Sequence, residues 1–424
     1  MFDESLLHFI WQHQNFNREN LRTEAGEVLK IIRQGSLNPH GGPDFFNGQI
    51  RIGEMLWVGN IEIHLNSSDW YKHQHQHDAA YDKVILHVVW DHDKDVFRKD
   101  GLLIPVLTLN GRVKKRLIDN YLQLRKARKW IPCEDEFMHV EPTYRNQMLD
   151  RMLISRLERK SKRIEQLLSL HKNDWEAVFY QLMARYFGFN VNALPFELLA
   201  INTPFNFIRK YFDRPFQLNA LLFGQAGFLT ADIACSYHQK LKNEYVYLSK
   251  LHHLKPMDLS VWKYLRMRPS NFPELRIAQF ADLLIRYHRP FTYLQGLTSL
   301  NELHHFLSLD AGKYWSEHSR FGVKRKKPIE ALLGKSSREI LIINVIVPLL
   351  FCWSRSRLIE EPRSVLDILS ELPAEQNAQI RKWERLGWNA ASASDTQSIM
   401  ELRAQHCELK KCLTCTIGNH ILKN

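Results

Sequence analysis

The sequence predicts an α/β N-terminal domain followed by a mainly α-helical region. Two observations carry that prediction. Strand-type runs bounded by Gly, Pro and Asn are confined to the residues before 112, and beyond them the apolar residues recur at helical spacing almost throughout. The expected boundaries are an α/β domain over 1–112, a helical domain over 113–400 and a Cys-rich tail over 401–424.

In the first domain, Leu6, Leu7, Phe9, Ile10 and Trp11 are spaced as on one helix and predict a helix over 4–14. Strands are expected near 27–33, 45–52 and 55–65. The loop-forming stretch Gly35 to Pro43 and the turn at Gly53-Glu54 separate them. A polar, His-rich connection over 69–82 leads to Val84–Trp90, which reads as a buried strand, and 102–109 offers another. Helices are then expected at 112–129, 142–170, 174–187, 216–240, 275–288, 298–307, 336–355, 363–371 and 374–386. Pro/Gly-rich breaks fall at 202–205, 213–215, 254–257 and 268–273.

A chain of 424 residues suggests two or three domains. With 45% hydrophobic residues and 11 tryptophans it can bury a large core, which excludes a disordered chain. Its 58 Lys+Arg against 46 Asp+Glu give a net charge of +12, which favours a polyanionic partner, nucleic acid first. The competing reading is a basic protein with solvated faces. Met1-Phe2-Asp3-Glu4 is acidic where a secretory leader is cationic. The most apolar run, Ile340–Trp353, is interrupted by Asn344 and Pro348 and is too short to span a bilayer. A cytoplasmic protein without membrane partners is therefore expected. Six cysteines in a chain of this size do not make a disulfide scaffold.

The candidate site lies in residues 43–64. Ile61, Ile63 and Leu65 alternate with Asn60, Glu62 and His64, so in a strand Glu62 and His64 share a face while the isoleucines enter the core. Asp44, after Pro43, opens the preceding strand and is expected beside them across the ladder. Two carboxylates and a third polar group on one sheet edge suit a divalent cation, magnesium or manganese, which can activate water and neutralise a scissile phosphate.

Three further groups stand out. His73-x-His75-x-His77 places three imidazoles on one face of an extended segment, and His73 and His75 are candidate metal ligands. The alternative is a polar loop whose histidines bond the backbone. Asp69 is expected to cap a short helix there. Cys407-x4-Cys412-x2-Cys415 contains a thiolate pair spaced for tetrahedral coordination, with Cys133, His406 or His420 as a fourth ligand, for zinc or an iron–sulfur cluster. The alternative is three reduced thiols near a terminus. Basic rows occur at 112–129, with Lys114, Lys115, Arg125 and Lys126 the candidate phosphate contacts, and at 156–163.

Helix, three strands, Pro43-Asp44 and Glu62-x-His64 together resemble the PD-(D/E)XK nuclease superfamily over about the first 95 residues. The resemblance implies a restriction-endonuclease-like mixed sheet, with Asp44 and Glu62 binding metal and Glu4 completing the site from the helix. His64 stands where the superfamily usually has lysine. It implies metal-dependent hydrolysis of phosphodiester bonds in DNA or RNA. The alternatives are a non-catalytic nucleic-acid-binding protein on a degenerate nuclease fold, and a metal-dependent enzyme acting on a small substrate. The chain also resembles the uncharacterised bacterial domain-of-unknown-function family 2851, seen mainly in Bacteroidetes, through segments such as Gly42-Pro43-Asp44-Phe45, Gly59-Asn60-Ile61-Glu62-Ile63-His64 and Ser68-Asp69-Trp70-Tyr71. That family implies no particular activity. Some PD-(D/E)XK exonucleases look similar in the tail, where a cysteine triplet joins a distant cysteine through an iron–sulfur cluster. In them the lone cysteine precedes the nuclease core, whereas Cys133 follows it.

Overall fold

A computed structural model describes residues 2–357 and 365–424. The chain is mixed α/β, with a mixed sheet in its N-terminal part and mostly helices afterwards. It forms two compact units, 1–151 with 382–388 and 399–424, and 152–381 with 389–398.

The first unit opens with α1 (Glu4–Gln12), followed by β1 (Leu29–Arg33), β2 (Ser36–Leu37), β3 (Phe45–Ile52) and β4 (Met55–Asn66). After α2 (Asp69–Lys72) and two turns of 3-10 helix come β5 (Val84–Asp91), β6 (Val106–Thr108) and α3 (Lys115–Lys126). The sheet order is β1-β3-β4-β5-β6, with β2 on β3. β3 and β4 form an antiparallel hairpin, whereas β4–β5 and β5–β6 are parallel. β4 is therefore central, and its segment Ile61–His64 is buried on both faces. One face carries Ile61, Ile63, Leu86 and Val88 into a cluster with Leu6, Leu7, Phe9, Ile10 and Trp11 of α1. On the other face Trp70, Tyr81, Val89 and Val106 form a second, smaller cluster.

Two local devices set the strand approach. β3 is bulged between Phe45 and Gly48, with Asn47 at φ 58°, and the ladder resumes at Gly48 opposite Gly59. A bulge bends its strand and re-aims neighbouring side chains, here next to Asp44. Gly59 permits the contact on the other side. A Cβ there would lie 2.5 Å from the Lys83 carbonyl oxygen, closer than real atoms approach.

The second unit is built around the helices Trp175–Phe187, Pro215–Gln225, Pro273–Arg286 and Lys335–Arg357. The last is long and apolar enough to cross a membrane by length and composition, and 56% of its apolar window is buried in the protein, as in a core helix. Pro348 has no N–H to offer the Asn344 carbonyl four residues back. Lys160 Nζ fills the gap, donating to that oxygen at 3.3 Å and to Asn344 Oδ1 at 2.9 Å. Arg163 donates to Glu197 at 3.0 Å. The basic row at 156–163 is thus spent in part on contacts within this unit rather than offered to a polyanion.

Other expectations need correction. The helix expected over 216–240 is two, Pro215–Gln225 and Ser236–His252. Gly227, at φ 84°, turns the chain between them, and a Cβ there would meet the Met257 carbonyl at 2.4 Å. The helix expected at 374–386 is shorter, Ala378–Arg385, and part of the one expected at 363–371 lies outside the described residues.

Candidate metal centre

Asp44 and Glu62 meet because β3 and β4 are neighbours, with Phe45 paired to Ile61. The Asp44 backbone N–H donates to Glu62 Oε2 at 3.1 Å, and the Ile63 N–H donates to Asp44 Oδ2 at 2.9 Å. His8, one helical turn after Glu4 on α1, places Nε2 3.2 Å from the same Asp44 oxygen. Glu4 lies within electrostatic reach of Asp44, His8 and His73.

Glu62 and His64 share a face, with His64 Nε2 3.6 Å from Glu62 Oε1. Both are buried, Glu62 at 4% and His64 at 1% exposure. His75 Nε2 comes within 3.3 Å of the same Glu62 oxygen. His64 Nδ1 lies 2.8 Å from His87 Nε2, and His64 Nε2 lies 3.1 Å from His73 Nδ1. Among the described residues, His64, His73 and His75 form the group whose ligand atoms all lie within 4.8 Å of one another.

The His-rich segment is not extended. Gln74 adopts a left-handed φ of 60°, between α2 and a 3-10 turn at His75–His77. That reversal turns His73 and His75 toward His64, while His77 is exposed and stands outside the group. Tyr81 stacks on the His75 ring at 3.8 Å and Trp70 meets its edge at 5.3 Å, so the imidazole is held in place by packing. Asp69 does not occupy the capping position. It is the first residue of α2, and its carboxylate accepts from the Asn66 N–H at 3.0 Å and pairs with Lys72 at 2.5 Å.

Burial sets the charge states. It pushes the Glu62 carboxyl well above the ordinary carboxylate range, and the adjacent Asp44 charge adds to the effect. Burial first, then neighbouring histidines, drives His64 down to about 2 and His87 to about 3. His75 is lowered by burial as well. Burial opposes protonation of His8, but the hydrogen bond and charge of Asp44 outweigh it and raise that imidazole. At neutral pH, His64, His75 and His87 therefore keep lone pairs available to a metal.

The donor set fits a cation. His75 Nε2 is buried and makes no hydrogen bond among the described residues, although it points toward a Glu62 oxygen, and His8 Nε2 lies against Asp44. Two carboxylates pressed together, one of them kept protonated by its surroundings, gain most from a shared positive ion.

His8 and His87 were not singled out in the sequence. His8 carries a weak signal, four residues from Glu4 and hence on the same helix face. His87 sits inside an apolar strand, in parallel register with Glu62. Its only signal is a polar residue where a fully buried strand has none.

The remaining candidates lie elsewhere in this unit. Lys114, Lys115, Arg125 and Lys126 are at the two ends of α3. Lys114, Lys115, Arg125 and Lys126 are all exposed. Arg125 pairs with Asp3 at 3.2 Å, so its charge is partly engaged. Cys133, Cys407, Cys412 and Cys415 are all free thiols.

No curated protein and no solved structure matches the chain. A family model described as a protein of unknown function (DUF2851) matches residues 4–378, and the chain belongs to that family.

Proposed function

We propose that this protein is a metal-dependent hydrolase of phosphodiester bonds in DNA or RNA, on a sheet of the restriction-endonuclease-like kind. The observation that carries the reading is the meeting of Asp44 and Glu62 across β3 and β4, with Glu62 Oε1 3.3 Å from one imidazole and 3.6 Å from another. The helix, the antiparallel hairpin and the following parallel strand support it.

Asp44, Glu62 and the His73 and His75 imidazoles would hold the ion. A divalent cation there supplies positive charge to a scissile phosphate and acidifies a water molecule. His64, whose two ring nitrogens face His87 and His73, is a positioning residue that fixes the His73 ring. His73 is exposed and is the imidazole that a solvent molecule or a phosphate reaches. The basic ends of α3 offer sequence-independent phosphate contacts.

A second reading has one observation in its favour. Three imidazoles within 4.8 Å suit zinc, manganese or iron better than magnesium, which prefers oxygen ligands. This favours a metalloenzyme for a small substrate. The discriminating experiment is a cleavage assay on single- and double-stranded DNA and RNA with magnesium, manganese or zinc. The nuclease reading expects cleavage with manganese that Asp44→Asn abolishes while melting is unchanged. Tight binding of zinc or iron without cleavage of any polymer would favour the second reading.

A further inference from the structure

A cleft in the second unit is lined by cations and hydrogen-bond donors. Its volume is about 790 Å³, within the range of small-molecule sites. Its walls come from the end of the helix Trp175–Phe187 with the turn after it, from the segment 263–271 and from the start of the helix Lys335–Arg357. Asn192 fastens that segment to the turn. Its Nδ2 donates to the Lys263 carbonyl at 2.9 Å, and its Oδ1 accepts from the Lys263 N–H at 2.9 Å. Arg185, Arg266 and Arg268 line the cleft, and the described lining residues include no carboxylate. Arg185 pairs with Glu197, but Arg163 takes the same carboxyl group, so two cations share one charge. Arg266 and Arg268 are exposed and form no ion pair among the described residues.

Two further cations stand behind this wall and set the polarity of the groups in front of them. Arg276 is 4% exposed. Its Nη2 donates to Asn271 Oδ1 at 2.6 Å and to Ser337 Oγ at 3.0 Å, and its Nη1 donates to Gln279 Oε1 at 2.9 Å. These partners are all neutral, and Nε has no hydrogen-bond partner among the described residues. A buried cation held only by neutral groups gains from an anion nearby. Lys160 Nζ donates to the Tyr186 hydroxyl oxygen at 3.3 Å. Asn271, Ser337 and Tyr186 all line the cleft. With their oxygens engaged from behind, they have left the Asn271 NH2 and two hydroxyl hydrogens, which are donors. Arginines in front, donors between and cations behind suit an anion and reject a cation. Phe189, whose ring centre lies 4.6 Å from the Arg276 guanidinium, joins Val191 and Met267 in an apolar face.

We propose that this cleft binds a free nucleotide through its phosphate groups. Arginine forks, hydroxyls and amide N–H groups bond phosphate oxygens directly, so phosphate matches both the charge and the donors. The volume and the apolar face accommodate an organic part as well, which a bare phosphate would leave unused. The reading uses no residue of the carboxylate–histidine centre and stands apart from hydrolysis there.

The test is calorimetric titration of full-length protein, in EDTA at low salt, with ADP, AMP, adenosine and inorganic phosphate. The proposal expects one ADP per chain, weaker binding of AMP and of inorganic phosphate, and none of adenosine. Arg266→Ala and Arg268→Ala, at exposed positions, should each weaken ADP binding roughly tenfold and leave melting unchanged. Arg381→Ala, exposed on the helix Ala378–Arg385 and outside the cleft lining, should bind ADP as the wild type does. Absence of ADP binding, or ADP binding undiminished in both cleft variants, would overturn the proposal. So would inorganic phosphate binding as tightly as ADP, because the organic part would then contribute nothing. A 5′-phosphorylated oligonucleotide that binds more tightly than ADP and displaces it would overturn the free-nucleotide assignment in favour of a polymer end.

Discussion

Glu274 gives the most quantitative handle on the helical unit. It is 3% exposed on the helix Pro273–Arg286. Tyr264 donates its hydroxyl to Oε1 at 2.8 Å, and Oε2 has no hydrogen-bond partner among the described residues. The Arg320 guanidinium stacks 3.6 Å from the Tyr264 ring centre and softens the cost, but burial prevails and pushes the Glu274 carboxyl from 4.5 up to about 7. A carboxyl whose pKa is raised on folding holds its proton more tightly in the folded state. Its contribution to stability is therefore fully present below pH 4.5 and is lost as pH rises through 7. Each tenfold change in proton affinity is worth about 1.4 kcal/mol, so the loss across that window is about 3 kcal/mol. Glu274→Gln keeps an acceptor for Tyr264 and removes the titration. Urea unfolding between pH 4.5 and 8 should show the wild type losing about 3 kcal/mol relative to the variant, mostly between pH 5 and 7. Parallel pH profiles for the two proteins would refute the reasoning, because they would mean that Glu274 ionises without penalty.

Three other outcomes are expected. Gly59→Ala should cost about 1–3 kcal/mol in urea unfolding, because the new methyl meets the Lys83 carbonyl and must part β4 from β5. Lys160→Met should cost about 1–3 kcal/mol by leaving the Asn344 carbonyl without its donor, and should do so equally at low and high salt. Reversing the charges of Lys114, Lys115 and Lys126 should weaken oligonucleotide binding measured by anisotropy and flatten its salt slope by roughly 0.7–0.9 for each phosphate no longer neutralised. It should leave melting almost unchanged, since exposed charges contribute little to stability.

The sheet and the centre of the site were legible for different reasons. Alternation along Ile61-Glu62-Ile63-His64 assigns faces directly, and β4 keeps that alternation because Ile61 and Ile63 must enter the core. The pairing of Asp44 with this strand follows from the short Gly53-Glu54 turn, which leaves the hairpin little choice. The convergence of His73 and His75 was legible only as a residue type. Its geometry depends on one left-handed residue, Gln74, which no turn signal marks. His87 was hidden because a single polar residue in Val84–Asp91 does not disturb an apolar strand pattern. The row at 156–163 looked like a phosphate-binding face. Only the structure shows that Pro348 creates an orphan carbonyl for Lys160 to satisfy. The break between Pro215–Gln225 and Ser236–His252 was missed because apolar residues continue through it, while Gly227 carries the turn.

The central claim is that Asp44, Glu62, His73 and His75 hold one divalent cation, and calorimetric titration of manganese into metal-free protein tests it most directly. Because burial and the neighbouring Asp44 charge raise the Glu62 carboxyl, a cation bound there should release a proton. The apparent heat should then change between two buffers of different ionisation enthalpy at pH 7.5. The account predicts one site per chain with proton release, lost in Asp44→Asn and weakened in His73→Ala, both at exposed or half-buried positions. Absence of binding, or binding undiminished by both substitutions, would contradict it.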